Sequence, residues 1–93
     1  MTSATPFVIS GHRDSEPFDP LKLHSSIVSA CLSVRAPEGE AHSTAELVCR
    51  GVIDWLAGKH EVTTRDIRRV ASRHLETYHP DAAYMYQNEN VMI

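Results

Sequence analysis

The sequence predicts an α+β domain that is mostly α, a short N-terminal β-hairpin packed on a four-helix bundle. Three observations carry this expectation. A run of aromatic and β-branched residues, Phe7-Val8-Ile9, precedes turn-forming residues and a return arm limited by proline. Beyond it, apolar residues recur three and four positions apart in successive segments. Caps and breakers leave only short loops between those segments, which favours neighbours packed side by side.

Taken in order, residues 1–5 are expected to form a disordered tail, and residues 6–93 a single domain. Pro6 to Ser10 reads as a strand, Gly11-His12-Arg13-Asp14 as a turn, and Ser15 to Phe18 as the second arm. Pro17 has no N–H for a ladder, so that arm is an edge. A lone hairpin is marginal in water and must lie on something larger. Asp19-Pro20 opens the first helix, with Asp as N-cap and Pro where its missing N–H costs nothing. Leu23, Ile27, Cys31 and Val34 form its stripe, widened by Leu21, Val28 and Leu32, and Ala36-Pro37-Glu38-Gly39 ends it. Ser43 or Thr44 is expected to cap the second helix, whose apolar face is Leu47, Val48, Val52, Ile53, Trp55 and Leu56, closed by Gly58. Thr63 and Thr64 offer the third N-cap, with Asp66 near the positive helix end. Ile67, Val70, Ala71, His74, Leu75 and Tyr78 mark its buried face. His79-Pro80-Asp81 breaks the chain, and Ala82 to Ile93 form a weaker fourth helix.

Composition narrows the function. Nine Lys or Arg against twelve Asp or Glu leave 9 − 12 = −3 over 93 residues, which disfavours non-specific nucleic-acid binding. A chain of this size buries only somewhat more than about 60% of its unfolded surface, so a wide cofactor cleft draws on a thin stability margin. A binding or regulatory module is the expectation, not an enzyme. No Gly-rich phosphate loop or nucleophile elbow is present. No apolar run approaches the roughly 18 residues of a membrane span. The start, Met1-Thr2-Ser3-Ala4-Thr5-Pro6, has neither a basic nor an apolar leader segment. Cys31 and Cys49 sit in apolar helical patterns, so a cytoplasmic, reduced protein is expected. The cysteines lack C-x2-C spacing and the six histidines are scattered, so no metal is expected.

The order of these pieces is similar to a known family. The hairpin, then Pro17-Phe18-Asp19-Pro20-Leu21-Lys22-Leu23, then three further helices, resembles the ATP-cone domain of ribonucleotide reductase large subunits and of the repressor of reductase genes. Val62-Thr63-Thr64-Arg65-Asp66-Ile67 at the third helix and Asp81-Ala82-Ala83-Tyr84 at the fourth resemble the family as well, so the likeness spans residues 7 to 93. It implies a regulatory module that binds ATP or dATP, with Mg2+, and converts the choice into altered self-association or docking on a protein partner.

Carried over residue by residue, the resemblance implies that Val8, Ile9, Phe18 and Leu23 give the base an apolar slot and that Glu16 faces the ribose or base. Lys22 reaches the phosphates, joined by Thr64 and Arg68 at the start of the third helix. A helix N-terminus suits phosphate because its N–H groups point outward, and an Arg fork binds phosphate oxygens in pairs. Read from the residues alone, each position also has an ordinary role: core packing for the apolar four, a solvated charge for the others. Arg65, Arg68, Arg69 and Arg73 fall along one side of the third helix.

An alternative follows from the departures. Ser10-Gly11-His12-Arg13 stand where the family's first strand continues into Lys-Arg, and Tyr86 and Gln87 stand where its last helix carries a basic residue and an aromatic. The alternative is a degenerate cone that no longer binds nucleotide and serves as a helical protein-interaction module. Tyr84, Met85, Tyr86 and Met92 would then form its adhesive patch.

Overall fold

The computed structural model describes residues 6–9 and 16–88. The tail 1–5, the hairpin turn, and residues 89–93 with Met92 lie outside the described residues. Within them the chain runs β1 (Phe7–Ile9), β2 (Glu16–Pro17), α1 (Pro20–Ser33), α2 (Glu38–Leu56), β3 (Glu61–Thr63), α3 (Thr64–Tyr78) and α4 (Pro80–Asn88).

The hairpin is present, with β1 antiparallel to β2 and Val8 opposite Glu16. Pro17 stands on the edge, where its missing N–H interrupts no ladder. The sheet has a third member that the sequence pattern does not mark, in the residues leading into the third N-cap. β3 lies parallel to β1, pairing Val8 with Val62 and Ile9 with Thr63, so the order is β2-β1-β3. Val8 and Val62 are buried together on the face toward the helices. The hairpin is therefore one flank of a mixed sheet and not an isolated pair.

α1 starts as the sequence dictates: the Asp19 carboxylate accepts the Leu21 N–H at 2.9 Å, and Pro20 follows. It ends at Ser33 in a Schellman turn, with Ala36 N–H donating to Cys31 O and Arg35 N–H to Leu32 O. Arg35 holds the left-handed position of that turn, at φ 66°.

α2 begins at Glu38, ahead of the expected cap at Ser43 or Thr44. Ala41 N–H already donates to Pro37 O, and Glu38 and Glu40 meet the positive helix end, so the helix forms without a side-chain cap. Its inward face is Ala41, Thr44, Ala45, Val48, Cys49, Val52 and Leu56, while Leu47 and Ile53 are exposed. Three alanine- or threonine-sized residues begin that inward face, and two of the helix's large apolar residues lie outside it. Gly58, at φ 83°, closes the segment as expected.

Thr63 and Asp66 make a capping box at α3: Thr63 Oγ1 accepts the Asp66 N–H at 3.0 Å, and Asp66 Oδ2 accepts the Thr63 N–H at 3.4 Å. Ile67, Val70, Ala71 and Leu75 are buried, His74 is half-buried, and Tyr78 is exposed. α4 begins at Pro80, earlier than Ala82, because His79 Nδ1 accepts the Ala82 N–H at 3.4 Å and serves as its cap. Tyr86 is fully buried with its hydroxyl 3.0 Å from Ser26 Oγ, so it is a core residue and not part of a surface patch. Tyr84, by contrast, is 67% exposed.

Candidate functional site

Where the sheet meets the first turn of α1 and the start of α3, a narrow cleft of about 20 Å3 opens. The residues that build it follow from local structure. β1 turns Val8 inward, β2 presents Glu16, and the extended Pro17-Phe18 link carries the chain into the Asp19 cap. Lys22 projects one turn along from that cap, and Thr64 comes from the first turn of α3. Thr64 Oγ1 also donates to the Ile9 carbonyl at 3.4 Å, which ties α3 to β1.

Five of the eight candidate residues thus share one cleft: Val8, Glu16, Phe18, Lys22 and Thr64. Ile9 is half-buried and does not line the cleft, although its carbonyl accepts from the cleft-lining Thr64. Leu23 is fully buried in the core and does not line the cleft. Arg68 does not line it either. It is half-buried one turn further along α3, near enough to Tyr86 for its charge to act on that phenol. The arginine stripe therefore does not supply the cleft with cations. Pro17 and Asp19 line the cleft without having been singled out. The adjacency of Asp19 to Phe18 and its place one turn before Lys22 are the sequence signals that would have included it.

The electrostatics are specific. Lys22 Nζ lies 3.5 Å from Glu16 Oε1, with both side chains about half exposed. Such a pair holds loosely, with a median worth of roughly 0–1 kcal/mol. Among the described lining residues Lys22 is the one cation, against the two carboxylates of Glu16 and Asp19 that also line the cleft. At the start of α3 the anion position is taken by the helix's own Asp66. Hydrogen bonds with the Thr63 side chain, then from Arg69 and the Thr63 backbone N–H, hold that carboxyl below the usual carboxylate range. A phosphate at this terminus would compete with Asp66 for the same field.

Size decides how much the cleft can take as it stands. About 20 Å3 is room for roughly one water, against roughly 300–1,000 Å3 for ordinary small-molecule sites. A nucleotide requires the sheet and α1 to part. Among the described residues, no group of three or more His, Cys, Asp or Glu is placed to hold a metal ion, and no helix is long and apolar enough to cross a membrane. Comparison with protein-family models, with curated proteins and with solved structures finds no match to this chain.

Proposed function

We propose that the chain is a regulatory module that binds an adenine nucleotide, ATP or dATP, in the cleft between the sheet and α1. The observation that supports this reading is the convergence of Val8, Glu16, Phe18, Lys22 and Thr64 from four separate elements on one cleft. Entry of the nucleotide would part Lys22 from Glu16, a pair weak enough to give way. Lys22 would turn to the phosphates, Glu16 would accept from a ribose hydroxyl, and Val8 and Phe18 would flank the base. The Asp19 carboxylate offers an oxygen ligand to the Mg2+ that accompanies a triphosphate. The parted sheet would alter the surface used for self-association or for a protein partner. No chemical step is assigned to the module. It works in the cytoplasm, where its two buried thiols stay reduced.

The closed state of the cleft favours a second reading, in which the same fold is a nucleotide-free interaction module. Calorimetric titration with Mg2+ and ATP, dATP or ADP, with light scattering on the same samples, separates the two. Saturable heat, a change of size, and a loss of about tenfold or more in affinity for Lys22→Ala are expected of the sensor. No heat up to about 1 mM nucleotide would overturn it and leave the interaction module.

A further inference from the structure

A second hollow, of about 210 Å3, opens between α3 and α4 and shares no lining residue with the cleft. α3 contributes Arg69, Ser72, Arg73 and Glu76, and α4 contributes Tyr84 and Gln87 among others. Ser72 is the unusual member. It is 4% exposed, and its Oγ has no hydrogen-bond partner among the described residues. A helical serine ordinarily returns its proton to the carbonyl one turn back. A buried hydroxyl left without a partner costs stability, and such a group calls for an explanation.

The neighbours of Ser72 indicate what would satisfy it. Arg69 and Arg73 stand one turn apart on the same side of α3, bracketing Ser72 in sequence. Arg69 is shared with Asp66 at 3.3 Å, while Arg73 has no ion pair among the described residues. Two guanidinium forks that line the same hollow as a hydroxyl-bearing residue match an oxyanion with three oxygens and nearly two charges. Glu76, one turn past Ser72, repels that anion and accepts from hydroxyl groups, so it gives the hollow a polarity. Tyr84 presents its ring at the rim, and Gln87 can donate or accept. The volume is below that of ordinary drug-sized sites.

We infer that this hollow binds a small phosphorylated polyol of the sugar-phosphate class, with the phosphate on Arg69, Arg73 and Ser72 and the hydroxyl-bearing body toward Glu76 and Tyr84. The probe is ribose 5-phosphate, with ribose and inorganic phosphate as controls, followed by amide shifts in 15N-labelled protein and by calorimetry. Saturable shifts confined to α3 and α4 are expected, with inorganic phosphate weaker by about tenfold and ribose silent. Arg73→Gln is expected to lower affinity about tenfold or more with the melting temperature unchanged. Ser72→Ala removes the partnerless hydroxyl, so it should hold or raise the melting temperature while weakening the ligand several-fold. Lys22→Ala should leave this binding intact, which separates it from the nucleotide cleft. Absence of shifts up to about 10 mM ribose 5-phosphate, equal binding of inorganic phosphate, or unaltered affinity in Arg73→Gln would each overturn the proposal.

Discussion

The imidazole of His74 on α3 lies across Gly51 of α2, so close that a Cβ at Gly51 would stand 2.7 Å from its Cε1. The glycine is otherwise unfavourable, since Gly in a helix interior costs about 1 kcal/mol relative to Ala. Contact between α2 and α3 depends on that missing methyl. Gly51→Ala should destabilise the protein by about 1 kcal/mol, because the displaced ring outweighs the gain in helix propensity. In a His74→Ala background the same change should instead stabilise by about 0.5–1 kcal/mol. Urea melts of the four proteins make the comparison. A stabilising Gly51→Ala in the parent would show that the ring gives way freely.

Arg35 occupies the left-handed position of the turn that ends α1, where glycine is the usual residue. A side chain there costs about 1–2 kcal/mol, and glycine returns part of that through greater freedom in the unfolded chain. Arg35→Gly should therefore raise stability by about 0.5–1 kcal/mol. Arg35→Val should lower it, because β-branching is least tolerated at positive φ. Paired melts decide, and equal stability of the two variants would be inconsistent with the turn.

The parts of the fold legible in the sequence are those written locally. Asp19-Pro20 and the Thr63-Asp66 box specify helix starts within four residues, and the stripe Leu23, Ile27, Cys31 is the buried face of α1. β3 was hidden because three residues show no useful alternation, and its partner β1 lies more than fifty positions away. Leu21, Leu32, Leu47 and Ile53 were expected inside and lie outside, while Ala41 and Ala45 are fully buried. Residue hydrophobicity ranks these wrongly because the face of the helix on which a residue falls decides whether it is enclosed. For the site, the sequence could indicate which residues converge, since Glu16, Phe18 and Lys22 flank one strand-to-helix junction. It could not indicate that the cleft is nearly closed or that Arg68 sits elsewhere, as both depend on side-chain packing between distant elements.

Cys31 and Cys49 bear on how the protein can be probed. Both are buried, and burial pushes the Cys49 thiol up to about 11 and the Cys31 thiol upward as well, with the Glu40 charge adding to the latter. At neutral pH neither offers thiolate to an external reagent. An aromatic disulfide reagent should label both thiols only as fast as the chain opens, and about twofold faster or more under mildly denaturing urea. Rapid labelling of the native protein would mean that the helix interface opens readily. A disulfide formed under oxidising conditions without unfolding is likewise not expected.

Tyr86 joins α4 to α1 through one buried hydrogen bond, and its direction can be deduced. Ser26 Oγ donates its only proton to the Leu23 carbonyl at 2.7 Å, so at 3.0 Å the Tyr86 hydroxyl must donate to Ser26. Burial pushes the phenol up to about 12, against smaller opposing effects from Ser26 and the Arg68 charge. The folded state thus holds the proton more tightly than the unfolded chain, whose tyrosines titrate near 10. The associated stability is fully present below about pH 10 and is lost as pH rises through 10 to 12, an effect of about 2–3 kcal/mol in all. Tyr86→Phe should cost about 1 kcal/mol at neutral pH, since Ser26 keeps its bond to Leu23 and only one hydrogen bond disappears. It should also flatten the alkaline limb, because the group whose ionisation opposes the fold is gone. Thermal melts from neutral pH to about pH 11 test both effects. Parallel alkaline loss in the two proteins would show that Tyr86 is not the group responsible.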